Sequence, residues 1–177
     1  VIEMKFELFT ALGCMLTFIP HIQAQQKPDF SGEWILNKDK SHLELKILKK
    51  LEKAMAKIEH RDPVFKLSRV FIIEGEDNSL TLELISDGIE KSSQEGNQTH
   101  HSRLYWEGKM LVFVTRIVAP QGEATNTVRY QLLENGRILK AEEKFRGPRL
   151  EYDNVWVFEK QEKHGKTNRD WMIEDDR

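Results

Sequence analysis

The chain has 177 residues, a length that suits one domain and buries a real core once any leader is removed. Charged residues make up 32% of it, yet the net charge is only −2, which argues against a general nucleic-acid binder with its basic excess. A hydrophobic share of 39% and four tryptophans argue equally against a disordered chain.

Met4-Lys5 reads as the true start, with Val1-Ile2-Glu3 upstream of it. An apolar run from Leu8 to Ile19 follows, broken by Pro20. Ile22-Gln23-Ala24 then offers an aliphatic residue at −3 and a small one at −1, the geometry a signal peptidase accepts. The run is shorter than the roughly 20 residues of a membrane span. Residues 1–24 are therefore expected to be a signal peptide, residues 25–160 the folded domain and residues 161–177 a charged, mobile tail. That places the mature protein in the periplasm or outside the cell.

The single cysteine, Cys14, lies in the leader, so the mature domain has no thiol for a disulfide or for catalysis. Ala11-Leu12-Gly13-Cys14 also loosely fits a lipoprotein box, which would anchor the protein through a lipid on Cys14. Contact with a membrane is expected only through that lipid or through the signal peptide.

Phe30 to Leu36 reads as a first strand, with Phe30, Trp34 and Leu36 on one face by the two-residue period. Ser41-His42-Leu43-Glu44 has the form of a helix capping box. Leu48, Leu51, Met55 and Ile58 follow at three- and four-residue spacing, with lysines mostly opposite them. This pattern predicts an amphipathic helix over residues 43–60, ending before Asp62-Pro63.

Beyond Lys66 the period changes to two. Hairpins are predicted from Leu67–Glu74 with Ser79–Ile85, from His101–Trp106 with Met110–Val118, and from Ala124–Leu133 with Arg137–Phe145. The last turns at Asn135-Gly136, the strongest short hairpin signal. Glu151–Lys160 is the final strand, and residues 89–99 hold a weaker one. A run of eight or nine strands joined by short turns is an up-and-down meander, and closing it into a barrel removes its edges. The expected fold is thus all-β, an antiparallel up-and-down barrel with one amphipathic helix after the first strand. Strand 110–118 is apolar on both faces, so the helix is expected to dock on the barrel or to cross its mouth.

Asp29-Phe30-Ser31-Gly32-Glu33-Trp34-Ile35-Leu36-Asn37, soon after the leader, resembles the opening of lipocalin-like (calycin-type) bacterial secreted proteins. The runs Trp106–Val112, Tyr130–Leu139 and Val155–Lys160 agree with it, so the likeness covers most of residues 29–160. Gly32-x-Trp34 also matches the first-strand signature of lipocalins and fatty-acid-binding proteins. In lipocalins that Trp packs at the closed barrel end against an Arg near the final strand. No Arg lies between residues 150 and 160 here, and Lys160 is the cation in place to replace it. The Arg-x-Tyr that holds a carboxylate in fatty-acid-binding proteins is likewise absent, with Asn154-Val155-Trp156 in the comparable region.

No catalytic or metal constellation stands out, and no cofactor is implied. His100 and His101 are adjacent on a strand and point to opposite faces, a poor chelate. Glu151 and Asp153, like Lys140, Glu142, Lys144 and Arg146, read as solvated strand faces. Polar residues on apolar faces carry more information: Arg69 with Leu67, Phe71 and Ile73, Arg116 with Val112, Val114 and Val118, and Asn126 with Val128, Tyr130 and Leu132. An inward charge is costly unless paired, so each Arg could meet an anionic group or else reach water along its stem. The candidate ligand-binding set is Trp34, Arg69, Phe71, Trp106, Phe113, Arg116, Asn126, Tyr130 and Trp156. The function expected is non-catalytic binding of a small hydrophobic or amphipathic molecule outside the cytoplasm. A filled barrel acting through its surface and an enzyme on a barrel scaffold are the alternatives.

Overall fold

A computed structural model describes residues 27–162. The expected signal peptide, Cys14 and the residues from 163 onward lie outside the described residues.

Ten antiparallel strands form one sheet: β1 (Gly32–Leu36), β2 (Leu51–Arg61), β3 (Val64–Ile73), β4 (Glu76–Ile85), β5 (Lys91–Glu95), β6 (Gln98–Glu107), β7 (Met110–Ala119), β8 (Gly122–Leu133), β9 (Ile138–Arg146) and β10 (Glu151–Lys160). Each strand pairs with its sequence neighbour except at one place. β4 and β5 do not pair, and β1 pairs instead with β10, through Trp34 opposite Lys160 and Leu36 opposite Phe158. The order β4-β3-β2-β1-β10-β9-β8-β7-β6-β5 is an up-and-down barrel left open along one seam.

The seam is bridged at one end. After β4 the chain turns so that the Ser86 amide donates to the Pro63 carbonyl (2.8 Å) and the Gly88 amide to that of Leu104 (2.9 Å). Trp106 Nε1 donates to Asp62 Oδ1 at 2.9 Å and lies 3.3 Å from Ser86 Oγ. Side chains on β6, on the β2–β3 turn and beyond β4 thus hold the two edges together there.

The predicted helix over 43–60 is not formed. The segment holds a short 3-10 turn, Lys46–Lys50, and then the 11-residue strand β2. The physical reason is a register shift between Leu51 and Lys53. A bulge there puts Leu51 and Ala54 on the same face at helical spacing, after which Ala54, Ala56 and Ile58 alternate as a strand should. Met55 is buried on the opposite face, where its cross-strand neighbours are Ile35 and Val70. A strand apolar on both faces with one bulge mimics an amphipathic helix.

Among the described residues no helix therefore covers the outer face of strand β7. Val112 is nevertheless fully buried, with Tyr105 and Arg129 as its cross-strand neighbours. Arg129 Nε reaches Glu107 at 3.4 Å, and Arg103 lies 5.1 Å from the centre of the Tyr105 ring. Long side chains flank the valines and shield them with their apolar stems.

The core lies inside the barrel, where Phe30, Trp34, Leu51, Ile58, Phe65, Leu104, Leu111 and Leu139 are nearly or wholly inaccessible. Several ring contacts cross the lumen between strands that are not neighbours. Phe65 on β3 meets Tyr130 on β8 at 5.7 Å, and Phe71 on β3 stacks on Trp156 on β10 at 5.2 Å. The barrel's own aromatics thus occupy much of its interior.

Candidate functional site

Directly paired residues in an antiparallel sheet share a face, so the register assigns each candidate to the inside or the outside. Trp156, Ala141, Tyr130, Leu111 and Trp106 form one inward row across β10 to β6. Asn154, Glu143, Val128, Phe113 and Leu104 form the next, and Tyr152, Phe145, Asn126, Thr115 and Ser102 the one after. On the other wall Arg69 pairs with Ala56, which pairs with Trp34.

Eight of the nine candidates therefore face inward, and Arg116 does not. It pairs with His101 and Thr125 on the outer face of β7 and reaches Glu123 at 3.7 Å. The valines that made its face look interior are the outward set covered by the side chains described above. A strand apolar on both faces hides which side is in.

Six of the inward candidates fall at two places. At the bridged end, Phe30 is enclosed by Phe65, His60 and Trp106, with ring centroids 5.7 to 6.4 Å apart. Trp34 is wholly buried, its indole N–H donating to the Phe30 carbonyl at 3.2 Å. Lys160 Nζ lies 5.2 Å from the centre of the Trp34 ring, so the cation expected over this Trp is the lysine. This end is a plug.

The second place is a cavity of about 50 Å³, whose lining includes Arg69, Phe71, Tyr130, Glu143 and Trp156. Most of the lining is apolar, and the two charged groups in it are Arg69 and Glu143. Arg69 lies 5.0 Å from the centre of the Phe71 ring, and among the described residues it makes no hydrogen bond or ion pair. Burial pushes the Tyr130 phenol up to about 12, with Arg69 opposing the rise and Glu143 adding to it. Phe113 packs against the core one row over and does not line the cavity.

Glu143 is the feature the sequence reading missed. Its Oε1 receives Asn126 Nδ2 (3.3 Å) and the Tyr152 hydroxyl (3.4 Å), and its Oε2 receives Asn154 Nδ2 (3.1 Å) and Trp156 Nε1 (2.9 Å). Asn154 is 1% exposed, and its Oδ1 accepts the Glu44 amide at 2.9 Å, which fixes the direction of its NH₂ group. The signal was present, because Glu143 falls in period with Leu139, Ala141 and Phe145 and out of period with the charges at 140, 142 and 144. Asn126, a sequence candidate, belongs to this network, and its Oδ1 is buried without a partner.

His100 and His101 face opposite ways, inward toward Ile117 and outward toward Arg116. Among the described residues no group of three or more His, Cys, Asp or Glu is placed to hold a metal ion. His101 Nδ1 contacts both Ser92 Oγ (2.8 Å) and Glu90 (3.4 Å), so the acid and the hydroxyl share one ring nitrogen. That arrangement cannot relay a proton from one side of the ring to the other.

No family model matches the chain, and no curated protein matches it in sequence. Solved structures do match. Secretory abundant heat soluble protein 4 from Ramazzottius varieornatus aligns with a TM-score of 0.55 at 15% identity, covering 79% of this chain and 99% of that one. Another secretory abundant heat soluble protein of that organism gives 0.52 at 14% identity, over 77% and 98%. A zebrafish ileal bile acid-binding protein, solved with cholic acid, gives 0.50 at 15% identity, over 75% and 98%. At such identities the likeness speaks for the fold. The chain is an up-and-down β-barrel of the type these proteins share.

Proposed function

We propose that this protein acts outside the cytoplasm and holds a small hydrophobic or amphipathic molecule in the barrel lumen, without catalysis. The observation that carries the reading is Arg69, a guanidinium in a mostly apolar cavity with no hydrogen-bonding or ionic partner among the described residues. The guanidinium is partly exposed, so its donors are open to a ligand's polar end while its neighbours supply apolar contact. Phe71, Tyr130 and Trp156 supply the apolar wall beside it. Support also comes from the shared fold, since one barrel of this type was solved with cholic acid.

The cavity volume of about 50 Å³ sets a condition, because ligand pockets typically measure roughly 300–1,000 Å³. A lipid-sized molecule must part the Phe71–Trp156 stack, and the unpaired seam between β4 and β5 is where the wall can give. The same volume favours a second reading, a barrel filled by its own aromatics that acts through its surface.

Native mass spectrometry of the full chain purified from its own host separates the two. A co-purifying small molecule that is lost in Arg69→Met supports the pocket. A clean apo mass, together with no heat on titration with decanoate or 1-decanol, overturns it in favour of the filled barrel.

A further inference from the structure

The two charged groups of the cavity differ in what they have left to offer. Glu143 accepts two donors on each oxygen, so its four acceptor positions are taken. The indole of Trp156 only donates, and the Asn154 NH₂ is aimed by the Glu44 contact, so Oε2 accepts twice. That is the pattern of an ionised carboxylate. Arg69, in contrast, makes no hydrogen bond among the described residues, and its side chain is partly exposed beside Phe71.

With Arg69 and Glu143 both lining it, the cavity is balanced in charge. A ligand carboxylate would be drawn to Arg69, but it would also face the carboxylate of Glu143 and leave the lumen with an excess negative charge. Like charges brought together in one small, mostly apolar cavity repel each other more than they would in water. A hydroxyl accepts from a guanidinium and leaves the balance intact.

We propose that the lumen takes a neutral, hydroxyl-bearing amphiphile, of the fatty-alcohol or monoacylglycerol class, in preference to a free fatty acid. The proposal rests on the ligand-binding reading above and narrows it to a chemical class. Glu143 acts as the selectivity group by repelling anions, and Arg69 holds the head group.

The test is isothermal titration calorimetry of the full chain with 1-decanol, monodecanoylglycerol and decanoate at pH 7.5. The neutral ligands are expected to bind at least about tenfold tighter than decanoate. Glu143→Gln, which removes the charge and keeps an acceptor, should erase most of that gap by strengthening decanoate binding. Arg69→Gln, at a partly exposed position outside the Glu143 network, should widen the gap and covers the case in which the Glu143 variant does not fold. Decanoate binding as tightly as decanol to the wild type would overturn the selectivity and leave the pocket standing. A gap unchanged in a folded Glu143→Gln would do the same. No binding by any of the three would overturn both readings.

Discussion

Phe71 on β3 and Trp156 on β10 lie parallel across the lumen, their ring centroids 5.2 Å apart and their planes 14° from each other. The two strands are not neighbours in the sheet, so this stack ties opposite walls and fills the space a ligand would need. Phe71→Ala removes one half of it. Because Phe71 is only partly buried, the expected loss is ~2 kcal/mol, below the full cost of a buried Phe. Chemical denaturation followed by tryptophan fluorescence measures that loss. A titration with 1-decanol should show tighter binding to the variant than to the wild type, since the wall no longer has to part.

Glu143 joins β8, β9 and β10 through Asn126, Asn154, Tyr152 and Trp156. Glu143→Leu would leave the nearly inaccessible Asn154 amide and the Trp156 indole without acceptors. Each stranded buried donor costs roughly 1–3 kcal/mol, so a total on the order of 3 kcal/mol is expected. A double-mutant cycle with Asn154→Ala should return a coupling of about 1–2 kcal/mol, because the two side chains share one network. Additive losses would mean that the network is not a unit.

Much of the barrel was legible because hairpin signals are local. Asn135-Gly136 marked the β8–β9 turn between the two strands read on either side of it, and in the structure Tyr130 and Ala141 face each other across that hairpin. The strand at Leu51–Arg61 was not legible, because its bulge and its two apolar faces reproduce helical spacing. Which face is interior is a property of the closed sheet, so alternation alone could not tell that the register puts Arg69 inside and Arg116 outside. Glu143 was overlooked for a related reason. Its alternation with apolar residues was visible, but the donors that make an interior carboxylate tolerable come from two other strands.

Gly32 offers a test of the plugged end. Its φ is +152°, and a Cβ there would come within 2.7 Å of Lys160 Cε and 3.4 Å of the Trp34 indole nitrogen. Gly32→Ala should therefore destabilise by on the order of 1 kcal/mol or more through backbone conformation alone. It should also push Lys160 off the Trp34 ring. A combined Gly32→Ala, Lys160→Ala variant that regains part of the loss would separate the contact from the backbone term.

Acid should weaken the domain in two stages, both through groups at the bridged end. His60, with a side chain 3% exposed, accepts the Phe30 amide on Nδ1 at 3.2 Å. Burial holds its pKa below the ordinary 6.5, with Asp29 and Asp62 opposing and Lys27 assisting. The unfolded chain thus binds the proton at a higher pH than the folded one. The contribution is complete above pH 6.5 and is lost as pH falls below it. Asp62 is held down to about 2 from an ordinary 3.8, chiefly by its hydrogen bond from Lys27, with Trp106 and Ser86 adding to it. Its contribution is present above pH 3.8 and disappears as pH falls toward 2. Melting temperatures recorded from pH 8 to 2 should show a first decline below 6.5 and a second below 4. His60→Gln keeps an acceptor for the Phe30 amide and should flatten the first decline while leaving the second. Lys27→Ala should shift the Asp62 titration toward 3.8 and shrink the second, so a second decline unchanged in that variant would assign the acid limb to other carboxylates.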